Sequence, residues 1–165
     1  MRFQSINEIE KFSFEDCEIQ KFEVQEKQIY MELEALIVRP QNSQNTNYTE
    51  SYAGTTYVRL QEGRLLSVVK EGYRYYDAND CLISEVPDEM LSAAEIEKMI
   101  KRLKGALLFV MEKQKEENGV CTYSMRLEFP NQEEYDDTVT ESYELIVEFK
   151  QAIFEWDFYM NRVQR

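Results

Sequence analysis

Apolar residues along this chain recur mostly at every second position. Ile29, Met31, Leu33, Ala35 and Ile37 line one face of residues 28–38, and Tyr30, Glu32 and Glu34 point the other way. That is the period of a half-buried strand. Arg39-Pro40 stops the run, because proline cannot donate to a ladder. Phe22 and Val24 alternate with charges before a reversal at Glu26-Lys27. Residues 55–60 and 64–70 read as a hairpin about Gln61-Glu62-Gly63, and residues 73–76 and 81–86 as another about Ala78-Asn79-Asp80. Residues 106–115 and 120–129 form a third across Asn118-Gly119, a strong turn dipeptide. Residues 142–159 read as one long strand with a change of parity. Tyr143, Leu145, Val147 and Phe149 share a face, whereas Ala152, Phe154, Trp156 and Phe158 have the opposite parity. Such a slip predicts a bulge near Lys150-Gln151. The polar stretches 41–53 and 130–141 read as loops, the first as the most mobile part of the chain.

One stretch breaks this rhythm. Residues 92–104 place Ile96, Met99, Ile100 and Leu103 on one helical face. Ser92 and Glu95 make a capping box, Lys98, Lys101, Arg102 and Lys104 suit the negative end of the dipole, and Gly105 supplies the stop. An apolar stripe must be buried, and only sheet is available to receive it. A second box, Ser5 to Glu8, predicts a shorter helix of two turns ahead of Ile9 and Phe12.

The order of pieces repeats. Each Ser-x-x-Glu box is followed by two strands in hairpin, then by Pro40 or Pro130 and a polar loop. Both loops close on the same letters, Thr49-Glu50-Ser51-Tyr52 and Thr140-Glu141-Ser142-Tyr143. The fold expected is α+β: a single domain over residues 1–165, mainly a twisted antiparallel sheet with the helix 92–104 packed on one face. Within it, residues 5–62 and 92–150 would be copies of a helix-plus-three-strand unit related by a pseudo-twofold axis.

Composition narrows the function. With 43% hydrophobic and 13% aromatic residues the chain can bury a core, and no apolar run approaches a membrane span. The opening ten residues are mixed and polar, without the pattern of a signal peptide, so a cytoplasmic location is expected. A net charge of −13 repels phosphate backbones and anionic lipid, which argues against nucleic-acid and membrane partners. Cys17, Cys81 and Cys121 form no CxxC and read as reduced, mostly buried thiols.

The chain has no histidine, which removes Ser-His-Asp and Cys-His machinery and most transition-metal sites. None of the five glycines sits in a phosphate-binding motif. No cofactor is expected. Carboxylates are left as candidate catalysts, but Glu32 with Glu34, and Glu155 with Asp157, are strand neighbours rather than groups opposed across a cleft. The run Glu133-Glu134-Tyr135-Asp136-Asp137 offers oxygens without calcium-loop spacing. Aromatics are the better lead. Trp156 and its neighbours cannot all face inward along one alternating strand, so Trp156 and Tyr75 are expected to mark an exposed patch. Together with Glu133, Glu134, Asp136 and Asp137 they suit a basic protein partner. The reading is a non-enzymatic protein-binding module of adaptor, inhibitor or immunity type. A binder of small apolar ligands is the alternative, and a carboxylate-based hydrolase the second. An open sheet edge would also allow a homodimer.

Overall fold

The computed structural model describes residues 2–130 and 140–163, and over them the chain is mostly antiparallel sheet with one α-helix. Strand β1 (Phe3–Ile6) leads through a 3-10 turn (Ile9–Lys11) into β2 (Phe12–Ser13), β3 (Glu18–Val24) and β4 (Gln28–Glu34). The short strands β5 (Ile37–Val38) and β6 (Ser51–Ala53) flank the first polar loop, and β7 (Thr56–Gln61) and β8 (Arg64–Lys70) follow. Next come β9 (Tyr73–Tyr76), β10 (Leu82–Val86), β11 (Glu89–Met90) and the helix α1 (Ala93–Lys101). The order ends with β12 (Leu107–Glu117), β13 (Val120–Phe129), β14 (Glu141–Phe149), β15 (Gln151–Trp156) and β16 (Tyr159–Arg162). None of the helices described is long and apolar enough to cross a membrane.

Ten strands form one sheet in the order β1-β15-β7-β4-β3-β12-β13-β14-β8-β11, and β16-β6-β5-β2 form a small second one. β3 and β12 meet at the middle of the large sheet, with Leu107 opposite Glu18. There the Ile19 N–H donates to the Ala106 carbonyl and the Gly105 N–H to the Ile19 carbonyl, both at 2.8 Å. Two connections cross between the halves. β7 and β8 stand six positions apart yet are joined by Glu62-Gly63 alone, and β14 and β15, equally far apart, by Lys150 alone. In a flat sheet six spacings of about 4.8 Å would separate them by roughly 29 Å. Two intervening residues bridge only about 11 Å. The sheet therefore curls until its halves face each other, and the Lys150 N–H donates to the Gln61 carbonyl at 2.9 Å where the crossings meet. The enclosed core includes Met31, Leu33, Val58, Leu60, Met125, Leu127, Leu145, Val147 and Phe154. These are the inward alternate positions of β4, β7, β13, β14 and β15.

The curled sheet revises several local expectations. The stretches 56–61 and 64–70 are consecutive but do not pair with each other: β7 lies between β4 and β15, and β8 between β14 and β11. Residues 142–159 are not one strand bulged near Lys150; the irregularity in this stretch falls between Ile146 and Val147, where β14 meets β8. The stretch is two strands in opposite halves, each with its own inward parity, and the apparent slip at Lys150 is a crossing. The run 28–38 breaks at Ala35, whose φ of 56° ends β4 and sends Ile37 and Val38 into the small sheet. Ser5 does not cap a helix of two turns. It pairs with Phe154 in the β1–β15 ladder, and its hydroxyl donates to Glu8 at 2.5 Å, leaving only the 3-10 turn.

The second box forms as expected. The Glu95 N–H donates to Ser92 Oγ at 3.3 Å and the Ser92 N–H to Glu95 Oε1 at 3.1 Å, although α1 stops at Lys101, short of residue 104. Met99 and Leu103 are buried in the core cluster, with Ile96 and Ile100 partly buried against it. The first polar loop is tethered rather than loose. Asn42 donates to Ser5 Oγ at 3.1 Å, and Asn45 donates to the carbonyls of Val38 and Thr49 at 3.0 and 2.8 Å.

Candidate functional site

The surface that stands apart from this frame is the β9–β10 hairpin. β8 and β11 are the last pair of the large sheet, with Lys70 opposite Glu89 and Val69 opposite Met90. The same two chain directions continue beyond them as β9 and β10, but through a pinched neck. At Gly72 an added Cβ would sit 2.0 Å from the Val86 carbonyl oxygen, so only glycine allows the two strands to pass. Its N–H donates to Asp88 at 2.6 Å, and Pro87 beside it has no N–H to offer a ladder. The hairpin pairs only with itself, as a separate two-stranded sheet. Its turn closes where Asp77 accepts the N–H groups of Asn79 and Cys81 at 2.8 and 3.0 Å, with Asp80 at a φ of 59°.

Every residue of β9 and β10 is exposed. Six of the thirteen large hydrophobic side chains exposed among the described residues are here: Tyr73, Tyr75, Tyr76, Leu82, Ile83 and Val86. Tyr73 and Tyr75 stand edge to face with ring centroids 5.1 Å apart. Arg74 pairs with Glu85 across the ladder at 2.9 Å, and Asp77, Asp80 and Asp88 lie at the tip and the neck. Between Arg74, Tyr76, Glu85 and the neck is a hollow of about 540 Å³. This arm can therefore offer aromatic rings, carboxylates and two unpaired strand edges at once.

The other expected site residues fall elsewhere. Tyr75 is on the arm and 42% exposed. Trp156 is a correction: it has no exposed surface at all and cannot mark an exposed patch, although Phe158 nearby is exposed. Because β15 belongs to the opposite half from β14, its own alternate positions face the core. Trp156 there stacks on Phe3 at 5.6 Å and meets Phe12 and Tyr159 edge-on at 5.9 Å each. Among the described residues its indole N–H has no hydrogen-bond partner, but it lies near enough the Tyr159 hydroxyl to temper the effect of burial, which pushes that phenol up to about 12. Glu133, Glu134, Asp136 and Asp137 lie outside the described residues. Leu82 and Ile83 are surface residues that the sequence does not mark out, since their hairpin pattern is the same whether or not a third strand covers it.

Three of the four carboxylates weighed as catalysts are engaged structurally, and the fourth, Asp157, is exposed. Glu32 accepts from the Tyr30 hydroxyl at 2.7 Å, Glu34 from Thr55 at 2.5 Å, and Glu155 pairs with Arg59. Glu10 accepts from the Tyr123 hydroxyl at 2.5 Å, and burial together with that carboxylate pushes the phenol above its usual range. Among the described residues no group of three or more acidic or cysteine side chains is placed to hold a metal. The cysteines are free: Cys17 is buried, Cys121 half-buried, and Cys81 exposed on the arm, contrary to the expectation of mostly buried thiols. No family model matches this chain, and neither a curated protein nor a solved structure matches it.

Proposed function

We propose that this chain is a non-enzymatic protein-binding module, of adaptor, inhibitor or immunity type, and that the β9–β10 arm is its contact surface. The observation that carries this is the arm itself: an isolated two-stranded hairpin is only marginally stable in water, yet this one shows the solvent six large apolar side chains. A partner that covers it would gain tyrosine anchors of the kind that dominate interfaces. Asp77, Asp80, Glu85 and Asp88 around those rings, in a chain of net charge −13, suit a basic partner surface. Tyr75 is retained from the sequence as a contact residue, joined by Tyr76 and Ile83.

The same proposal includes the architecture in its finer form: a single domain in which α1 covers one face of the sheet. It also includes the tandem duplication. The sheet order read from either end gives matching roles, with β3, β4, β7 and β8 answering to β12, β13, β14 and β15. Under that correspondence each copy lends its last strand to the other.

The test compares wild type with a Tyr75→Ala/Tyr76→Ala/Ile83→Ala variant in affinity capture from native cells, followed by titration of the purified partner. The expected result is a basic protein that binds the wild type, weakens steeply with salt and is lost from the triple variant. A partner held equally by the variant, or substrate turnover by the isolated chain, would refute the proposal.

A further inference from the structure

A second surface, independent of the arm, carries a different chemistry. In a chain with 32 acidic residues against 19 basic ones, four cations from two separate stretches line one cleft: Lys70 at the end of β8, and Lys98, Lys101 and the C-cap Arg102 on α1. The cleft has a volume of about 520 Å³, and Leu91 and Met99 supply its apolar floor. Glu89 and Glu95 also reach it. Lys70 and Lys98 form no ion pair among the described residues. Glu141, which feels the charge of Lys70, and Glu95, which feels that of Lys98, are already committed, as is Lys101 to Glu97 at 3.6 Å, whereas Glu89 stands opposite Lys70 in the ladder. Glu141 accepts from the Tyr143 hydroxyl at 3.0 Å and from Arg102 at 3.4 Å, and Glu95 is the acid of the helix capping box. Arg102 in addition lies 5.0 Å over the Phe129 ring. The dipole explains why cations gather in the last turn of α1, but it does not explain Lys70, which arrives from a strand.

We infer that this cleft binds a small amphipathic organic anion, with a carboxylate held by Lys70 and Lys98 and an apolar chain lying on Leu91 and Met99. The volume falls within the range of small-molecule sites, about 300–1,000 Å³, and those sites typically pair an apolar lining with a few convergent polar groups. An apolar floor rimmed by excess positive charge discriminates against neutral lipids and against purely polar anions such as inorganic phosphate. The cleft is formed entirely by the large sheet and α1, so it does not depend on the arm.

Decanoate is the probe, decanol its uncharged control, and chemical-shift mapping on the labelled full chain the readout. Decanoate should saturate the chain with shifts confined to residues 70, 91, 98–102 and 143, and decanol should bind at least about tenfold more weakly, the worth of one charge-assisted hydrogen bond. The double change K70E/K98E should weaken decanoate by at least about tenfold while lowering the thermal midpoint by no more than about 5 °C, the cost of a like charge opposite Glu89 and of a lost cation at the helix end, and the arm triple variant should bind like wild type. Absence of saturable binding, equal affinity for decanol, or full binding by K70E/K98E would each overturn the assignment. An acidic peptide that binds where decanoate does not would make this face a protein-docking surface, and the inference would fall.

Discussion

Two hairpins in this molecule are built alike and used differently. β12–β13 and β9–β10 each turn through residues at positive φ, Asn118-Gly119 in one and Asp80 in the other, and each carries both apolar and polar side chains. The first lies between β3 and β14 and sends Met125 and Leu127 into the core without exposed surface. The second passes a glycine neck and leaves all of its strand residues in solvent. Local sequence thus decides that a hairpin forms, whereas its neighbours decide what its apolar face is for. In β12–β13 that face holds the fold together. In the arm it is left over.

Substitution should separate the two regimes, beginning with the core. Trp156→Ala removes the ring stacked between Phe3, Phe12 and Tyr159 and should cost about 3–5 kcal/mol, or prevent folding, by chemical denaturation. Trp156→Phe keeps most of the volume and should remain measurable if the alanine variant does not fold. At the turns, Gly119→Ala places a side chain at a φ of 77° and should cost about 1 kcal/mol, because the β12–β13 ladder fixes that conformation. Asp80→Gly at the arm turn should change global stability by less than about 0.5 kcal/mol. Equal costs at the two turns would mean that the arm is part of the cooperative unit.

A third comparison sets the tethered loop against the free arm. Partial burial raises the pKa of Glu8, but hydrogen bonds from the Ser5 hydroxyl and from the hydroxyl and N–H of Ser43, with the charge of Lys11, outweigh it and hold the carboxyl below its usual value. A carboxylate with a depressed folded pKa stabilises fully above the unfolded value, near 4.3, and loses that contribution as pH falls through the folded one. Glu8→Gln should therefore cost on the order of 1 kcal/mol at neutral pH, and the gap to wild type should narrow in urea titrations as pH falls below the unfolded carboxyl's value. The smallest effect belongs to the arm strands: Tyr75→Ala and Ile83→Ala should each shift stability by less than about 0.5 kcal/mol, since Tyr75 leans on Tyr73 of the same arm rather than on the core and Ile83 is largely exposed. A large loss there would show that the arm's apolar residues serve the fold after all.

What could be read from the sequence follows the range of the interactions. The capping box of α1, the Asn118-Gly119 turn and the inward face of Ile29, Met31 and Leu33 are settled within a few residues, and each was legible. Partner choice for β7, β8, β14 and β15 is settled by strands far away in the chain. Gln61-Glu62-Gly63 therefore looked like a hairpin turn, and Lys150 like a bulge, when both are crossings. Trp156 followed from the same error, because its apparent misfit with Tyr143 and Val147 assumed one continuous strand. The arm's hairpin was legible, but its isolation was not, since nothing local announces that a third strand will be missing.

Because β8 completes the half that begins at β11, and β15 completes the half that begins at β1, the polypeptide is clasped like two hands with interlaced fingers. A single cut in the arm would sever the only covalent link between residues before 72 and after 87 without separating them, since each fragment would still be threaded into the other's pleat. Neither fragment would hold a closed sheet by itself, so the two pieces should regain shape only when mixed.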